Sequence, residues 1–167
     1  FGSMYYFNKS LICFLLFILS VVYTQNTEKK YPNINFDLFN GKKISIHELI
    51  NSGPLVIQFW AIWCSPCKKE MYYLDKIQDK YKDSGVKVIC INTDNLKSVP
   101  KAKAYVRQKK YDLLIAADPS SQIFKKLNAS VMPTTLIMDK NGQIVYTKEG
   151  YMGGDEKKVE AALKLLL

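Results

Sequence analysis

The sequence predicts an α/β fold in which a mixed central β-sheet is flanked by helices on both faces and begins with an N-terminal β-hairpin. Two observations lead to this prediction. Two almost unbroken apolar runs, Leu55 to Trp60 and Val86 to Ile91, are typical of strands buried on both faces. Segments with helical periodicity alternate with the strands in the order βαβ followed by ββα. A chain in that order must combine parallel and antiparallel pairs.

Length and composition are those of one globular domain. Of the 167 residues, 48% are hydrophobic and 23% are charged, which does not suit a disordered chain, a coiled coil or a solenoid. The net charge of +9 comes from scattered basic residues, all of them lysine except Arg107. Nucleic-acid-binding proteins more often cluster such residues and use arginine for phosphate contacts. We therefore expect no nucleic-acid partner. We also expect a monomer.

The N-terminal sequence predicts a targeting segment. Residues 1–3 precede the first methionine and are interpreted as a cloning remnant. Within residues 4–24, Lys9 precedes the apolar run Leu11 to Tyr23, which is shorter than the ~20 residues of a membrane span but suits a signal peptide. Val22 and Thr24 stand where a signal peptidase prefers small residues, so the predicted cleavage site is poor. An uncleaved membrane anchor is therefore the alternative. We expect an extracytoplasmic protein whose folded domain comprises residues 25–167.

The domain opens with the predicted hairpin. Apolar and polar residues alternate from Ile34 to Leu38, and Asn40-Gly41 favours a tight turn into a second strand, Lys43 to Ser45. Ser45 and Glu48 then form the capping-box pattern of a short helix. After the first buried strand, Met71, Leu74, Ile77 and Tyr81 recur at helical spacing within Ser65 to Tyr81.

The C-terminal half continues the alternation. We predict a helix from Ser98, as N-cap, to Lys110, with Pro100 in its first turn. The following elements are a strand at Leu113 to Ala117, a helix at Ser120 to Leu127, a strand at Thr134 to Met138, and a strand at Ile144 to Thr147 after the turn Asn141-Gly142. Asp155 is predicted to cap a final helix whose apolar face contains Val159, Ala162, Leu163 and Leu166.

Cys64 and Cys67 point to redox chemistry. They lie three residues apart where the strand ending at Trp60 gives way to a helix. One helical turn holds their Cα atoms ~5 Å apart, a distance that a disulfide can span. The first cysteine is at the helix N-terminus, where free N–H groups and the helix dipole stabilise a thiolate. A thiolate is the nucleophile of thiol-disulfide exchange, and a second thiol can then release the product.

Other interpretations of the pair stay open. A zinc site needs four ligands, and the sequence has no second CxxC and one remote histidine, His47, which we expect at the solvated surface. A structural disulfide closing so small a loop would add little stability. A binding module could hold Cu(I) between the two thiolates, although further ligands are not obvious. We expect no metal and no cofactor, and we expect Cys90 to be an inert core residue.

The segment from Trp60 to Glu70, WAIWCSPCKKE, resembles the active-site segment of thioredoxin-like proteins, particularly the extracytoplasmic TlpA and ResA branch. The resemblance covers roughly Ile34 to Leu167. It is supported by Val131 to Thr135, which is similar to the cis-proline loop of that family, and by Asp139 to Gly142 with Gly150 in the following hairpin. It implies a thioredoxin-like fold and a thiol-disulfide oxidoreductase whose clients are protein thiols and disulfides.

The resemblance also implies roles for individual residues. Cys64 would be the attacking thiol, Cys67 the resolving thiol, and Pro133 a cis residue packed against the pair. The backbone of Met132 would pair with the bound substrate chain. We expect Trp63 to flank the dithiol as part of an apolar docking surface, with a pure packing role as the alternative.

Some positions depart from the family pattern. Gln58 stands where thioredoxin has a buried aspartate. Glu70 matches a carboxylate of the ResA branch and lies on the same helix face as Cys67, so we predict a catalytic role, with a solvated surface carboxylate as the alternative. Tyr72 stands where the family commonly has a proline.

The same residues predict the direction of electron flow. Ser65-Pro66 supplies no charge between the cysteines, and Glu70 would disfavour a thiolate, whereas Lys68 and Lys69 are expected to be exposed and screened. We therefore expect a reductant that a membrane partner re-reduces. The resemblance to ResA implies a role in cytochrome c maturation, and an oxidant or disulfide isomerase is the alternative.

Overall fold

The computed structural model describes residues 31–167. The predicted cloning remnant at residues 1–3 and the predicted targeting segment at residues 4–24 lie outside the described residues. Within them, the strands are β1 Asn35–Leu38, β2 Lys43–Ser45, β3 Leu55–Trp60, β4 Lys87–Asn92, β5 Leu114–Ala117, β6 Thr134–Met138 and β7 Ile144–Glu149. The helices are α1 Ile46–Ile50, α2 Ser65–Lys80, α3 Val99–Lys109, α4 Gln122–Lys126 and α5 Asp155–Lys164, with a short 3-10 helix at Lys82–Ser84.

All seven of these strands belong to one sheet, in the order β2-β1-β5-β4-β3-β6-β7. The central strands β3, β4 and β5 are parallel, and the pairs β1–β2, β1–β5, β3–β6 and β6–β7 are antiparallel. This arrangement confirms the predicted mixed sheet with an N-terminal hairpin.

The sheet separates two apolar cores, which explains the unbroken apolar sequence of β3. Val56 and Trp60 face the core shared with α2, α3 and α5. Leu55, Ile57 and Phe59 face the opposite core, to which α1 and α4 contribute. Because both faces are covered by helices, every residue of β3 is buried and apolar side chains are favoured at nearly every position. Gln58 is the one polar residue of β3.

The local signals of the hairpin and first helix are also confirmed. Gly41 adopts a φ of 86°, which the turn between β1 and β2 requires and which glycine reaches without steric cost. At the start of α1, the Glu48 N–H donates to Ser45 Oγ (3.3 Å), and the Ser45 N–H donates to Glu48 Oε2 (2.8 Å). Ser45 and Glu48 therefore form the predicted capping box.

The predicted caps of two later helices need correction. Ser98 occupies the N-cap position of α3, but its side chain accepts no cap hydrogen bond. Asp155 is the first residue of α5 rather than its cap, because Gly154 takes the N-cap position with a φ of 100°. Asp155 instead accepts a hydrogen bond from the Met152 N–H through Oδ2 (2.8 Å), which closes the loop before the helix.

Candidate functional site

The two cysteines lie at the junction of β3 and α2. β3 ends at Trp60, and Cys64 occupies the N-cap position of α2. Cys64 and Cys67 are joined by a disulfide, with their Cα atoms 5.3 Å apart. The Cys67 N–H donates to Cys64 Sγ at 3.2 Å. The sulfur of Cys64 therefore accepts a hydrogen bond from an N–H group at the helix N-terminus, as the sequence predicted.

Two exposed apolar side chains, Trp63 and Val131, lie in the segments that flank the cysteine pair and the proline loop. Trp63 is 68% exposed, which excludes the alternative that it serves only to pack the core. Cys64 retains 4% exposure, whereas Cys67 is fully buried. Val131, in the loop before β6, is also exposed. A macromolecule approaching the pair would meet Trp63 and reach Cys64 before Cys67.

The proline loop has the predicted geometry. The peptide bond between Met132 and Pro133 is cis, which confirms that prediction. Met132 packs against the apolar core that contains both cysteines, and its sulfur accepts a hydrogen bond from Thr93 Oγ1 at 3.3 Å. Pro133 is buried, and its carbonyl accepts from the Gly150 N–H at 2.7 Å, which ties the loop to the chain after β7.

Glu70 is completely buried, so the alternative of a solvated helix carboxylate is wrong. Its Oε2 accepts hydrogen bonds from Gln58 Nε2 (2.8 Å) and from Thr135 Oγ1 (2.9 Å). Gln58 Nε2 also donates to the Cys67 carbonyl oxygen (3.1 Å). The amide of Gln58 thus links the carboxylate of Glu70 to the backbone of the second cysteine.

Lys148 completes this site, and the sequence analysis did not identify it. Its Nζ lies 3.4 Å from Glu70 Oε1, and its side chain is only 9% exposed. Among the described residues, Glu70 Oε1 receives no hydrogen bond, so Lys148 is the cation that balances its charge. Lys148 also lies 3.5 Å from Asp155 Oδ2 and donates to the Gly150 carbonyl oxygen. Burial makes such a pair sensitive to the loss of either partner.

Sheet register explains how these side chains meet. Gln58 of β3 is paired with Thr135 of β6, and Thr135 is paired with Lys148 of β7. Residues directly opposite one another in neighbouring strands point to the same face of a sheet. The three therefore form a cross-strand polar row on the face covered by α2, and Glu70 on α2 contacts all three.

Asp94 holds the loop between Trp60 and Cys64, and the sequence did not identify this residue either. Its Oδ2 accepts hydrogen bonds from the Ile62 N–H and from Asn92 Nδ2, both at 2.7 Å. Lys68 Nζ donates to the Ile62 carbonyl oxygen at 3.0 Å. Asn92 ends β4 beside the end of the parallel strand β3, and side chains at such adjacent strand ends commonly build functional sites. That placement was the available sequence signal.

The remaining candidates fall outside the site. Cys90 is buried in β4 and forms no disulfide, and burial raises the pKa of its thiol well above the ordinary value. His47 is exposed on α1, on the other side of the sheet from the disulfide. Residues 31–167 contain no group of three His, Cys, Asp or Glu side chains that could hold a metal ion. Within the same range, no helix is both long and apolar enough to cross a membrane.

Sequence comparisons agree with this geometry. Residues 26–163 match the Redoxin family. The chain is 32% identical over 117 residues to the thiol-disulfide oxidoreductase ResA of Bacillus cereus, an alignment that covers 70% of this chain and 66% of ResA. It is 31% identical over 122 residues to ResA of Bacillus thuringiensis subsp. konkukian, covering 73% and 69%. The alignments therefore span about two thirds of the length of these relatives.

Solved structures show the same fold. A protein from Chlorobium tepidum, assigned as thiol:disulfide interchange protein DsbE, superposes with a TM-score of 0.75 at 25% identity, covering 82% of this chain and 94% of that one. In addition to these matches, this chain has the disulfide-bonded cysteine pair, the cis-proline loop and the mixed sheet. The chain accordingly belongs to the Redoxin family, in the thioredoxin-like branch of oxidoreductases that includes ResA.

Proposed function

We propose that the protein exchanges disulfides with client proteins through Cys64 and Cys67. The observation that carries this proposal is the disulfide at the N-terminus of α2, with Cys64 at the N-cap and slightly exposed and Cys67 fully buried. A thiolate at a helix N-terminus is stabilised by the dipole and by free N–H groups. Of the two cysteines only Cys64 retains any exposure, so we assign it as the attacking residue.

The exchange then takes two steps. In the reduced protein, the Cys64 thiolate attacks a client disulfide, which forms a mixed disulfide and releases one client sulfur as a thiolate. Cys67 loses its proton and attacks Cys64, which restores the disulfide seen here and frees the second client sulfur. Two electrons pass from the protein to the client. The proton lost by Cys67 protonates one of the two client thiolates, and solvent protonates the other. The reaction needs no cofactor, because the electrons move between sulfur atoms.

Glu70 is the acid-base group of this proposal. It lies one helical turn after Cys67 and connects to the Cys67 backbone through the Gln58 amide. Its carboxylate opposes a second negative charge near the pair and can exchange a proton with the resolving thiol.

The client chain would bind across the open surface around Cys64. Trp63 presents a large exposed aromatic face, and Met132 packs against the apolar core that contains both cysteines. Large aromatic side chains are common anchors of protein interfaces. We propose that Trp63 contacts the client side chains and that the Met132 backbone pairs with the client backbone, while the cis Pro133 packs against the cysteine pair and sets the shape of this binding loop.

We propose that electrons flow from this protein to its clients. Strong oxidants of this fold stabilise the thiolate of the first cysteine. Here the buried Glu70 lies near the pair, and the ammonium group of Lys68 is engaged by the Ile62 carbonyl oxygen. We therefore expect a reduction potential closer to that of thioredoxin (about −270 mV) than to that of a strong oxidant (about −120 mV).

The proposal includes an extracytoplasmic location, a membrane partner that re-reduces the disulfide, and thiols of immature cytochrome c among the clients. The apolar run from Leu11 to Tyr23 and the similarity to proteins named ResA and DsbE support it. A reductant outside the cytoplasm needs such a donor, because disulfides persist in oxidising compartments.

Redox equilibration tests both the activity and its direction. The protein is equilibrated in dithiothreitol or glutathione buffers of graded potential, free thiols are alkylated, and the fraction oxidised is measured by mass spectrometry. We expect a two-electron transition near −270 mV, and none for Cys64→Ser. A potential above about −180 mV, typical of a disulfide isomerase, would reverse the assigned direction.

A matched titration tests Glu70. The reduced wild type and Glu70→Gln are alkylated over a range of pH, and circular dichroism checks that both remain folded. Removing the carboxylate should move the alkylation midpoint of Cys64 to lower pH, because the thiolate loses a neighbouring negative charge. Superimposable curves would remove Glu70 from the mechanism.

A further inference from the structure

A surface cleft runs along the first half of α2, beside the disulfide. Its volume is about 840 Å³, and it begins at Pro66, between the two cysteines. Five tyrosines and three lysines line it, against one acidic side chain, Asp75. We call it the tyrosine–lysine cleft and define it by six of its residues: Pro66, Lys69, Tyr72, Tyr73, Tyr105 and Lys109. It lies outside the docking surface around Trp63 that the exchange reaction itself requires.

The charge of the tyrosine–lysine cleft is positive. Lys69 and Lys109 are exposed, and the Lys109 ammonium lies 5.7 Å from the ring centroid of Tyr105. Lys68 lies over the same ring at 5.5 Å. The single acidic group, Asp75, already accepts a hydrogen bond through Oδ1 from the Asp112 N–H at 2.9 Å. Three lysines outnumber this one carboxylate in the lining of the cleft, so an approaching chain meets a net positive charge.

The wall of the cleft is aromatic. Tyr72 and Tyr73 are 49% and 37% exposed, and their rings contact each other edge to face at 5.2 Å. Tyrosine combines a large apolar ring with a hydroxyl that can donate to a carboxylate. Exposed tyrosines beside lysines suit a polypeptide that carries acidic side chains. The tyrosine rings contact its backbone, while the tyrosine hydroxyls and the lysine ammonium groups bind its carboxylates.

We propose that the tyrosine–lysine cleft binds an acidic segment of the client protein, next to the client cysteine that reacts with Cys64. This inference rests on the proposed disulfide exchange and specifies its substrate class. Along α2, Cys64 and Asp75 are about 16 Å apart at 1.5 Å per residue. An extended chain covers that distance with about five residues. The recognised acidic residues therefore lie within about five positions of the client cysteine.

The experiment compares two disulfide-linked peptides that differ only in charge. One carries two aspartates within five residues of its cysteine, and the other carries asparagines at the same places. Rates of disulfide reduction by the reduced protein are measured at low ionic strength and again at high salt. Reduction of 2-hydroxyethyl disulfide, which is small and uncharged, reports the exchange reaction without the cleft.

Two double variants locate the effect. Lys69→Gln/Lys109→Gln removes two charges from the cleft, and Lys125→Gln/Lys126→Gln removes two exposed charges from α4, on the opposite face of the sheet. We expect the acidic peptide to react about tenfold faster than the neutral one at low salt. The cleft variant should lose most of this preference and the α4 variant should keep it. High salt should weaken the preference in the wild type.

Equal rates for the two peptides, or equal losses in the two double variants, would overturn the inference while leaving disulfide exchange intact. Failure of the wild type to reduce 2-hydroxyethyl disulfide would overturn the proposed function, and the inference with it. The neutral disulfide thus separates the two failures.

Discussion

Replacing Lys148 tests whether the buried cross-strand row stabilises the site. Lys148→Met keeps most of the side-chain volume but leaves the fully buried Glu70 carboxylate without its cation at 3.4 Å. Removing one partner of a buried ion pair typically costs 3–5 kcal/mol of folding free energy. Glu70 keeps its hydrogen bonds from Gln58 and Thr135, so we expect the lower end, about 3 kcal/mol.

The matched double variant separates the pair from its parts. Glu70→Gln alone leaves Lys148 with Asp155 and the Gly150 carbonyl oxygen, so a smaller loss of about 1.5 kcal/mol is expected. In Lys148→Met/Glu70→Gln no unpaired charge remains, and the loss should be about 2.5 kcal/mol rather than the sum of the single losses.

Urea denaturation of the oxidised proteins at pH 7 measures these differences, provided that the slope with denaturant stays constant. Lys43→Met is the control, because the Lys43–Asp37 pair has a similar distance of 3.2 Å but is highly exposed. Exposed pairs contribute little, so this variant should match the wild type. If Lys148→Met is no less stable than Lys43→Met, or if the single losses add in the double variant, the buried row does not act as a unit.

Two further predictions concern groups near the site. A hydrogen bond from Lys158, with further contributions from the Met152 N–H and Lys148, lowers the pKa of Asp155 to about 2. Its stabilising effect is therefore complete above the ordinary aspartate pKa of about 3.9 and is lost as the pH falls through 2. Asp155→Asn should thus be less stable than the wild type at pH 7 and approach it near pH 2, and a constant difference across denaturation curves down to pH 2 would contradict this. Because burial raises the pKa of Cys90, peptide-level mass spectrometry should find it unmodified by iodoacetamide at pH 8 until the protein is unfolded, and rapid labelling of the folded protein would show that β4 opens.

Local signals explain how much of the fold could be predicted. The apolar run of β3, the Asn40-Gly41 turn and the Ser45–Glu48 capping box each act within a few residues, and the structure contains all three. The cysteine pair could be placed for the same reason, since a CxxC after a buried strand falls at a helix N-terminus.

The surroundings of Glu70 could not be predicted in this way. Its contacts depend on the register between β3, β6 and β7, which joins positions 58, 135 and 148. Lys148 lies on the same face of β7 as Ile144 and Tyr146, but a lysine on an edge strand usually points to solvent, so its residue type gave no sign of burial. Only the position of α2 above this row shows that Lys148 is buried against a carboxylate. Spacing on α2 placed Glu70 on the face of Cys67, but it did not distinguish a buried from a solvated carboxylate.

Trapping of the mixed disulfide tests the central claim most directly. Cys67→Ser removes the resolving thiol while Cys64 remains the attacking residue, so a client should stay bound to Cys64. The variant is reacted with a disulfide-linked peptide, quenched with acid and analysed by intact-mass and peptide-level mass spectrometry, with Cys64→Ser as the control. We predict that Cys67→Ser gains the mass of one peptide on Cys64 and that Cys64→Ser gains none. The account is contradicted if Cys67→Ser carries no peptide while the wild type reduces the same substrate.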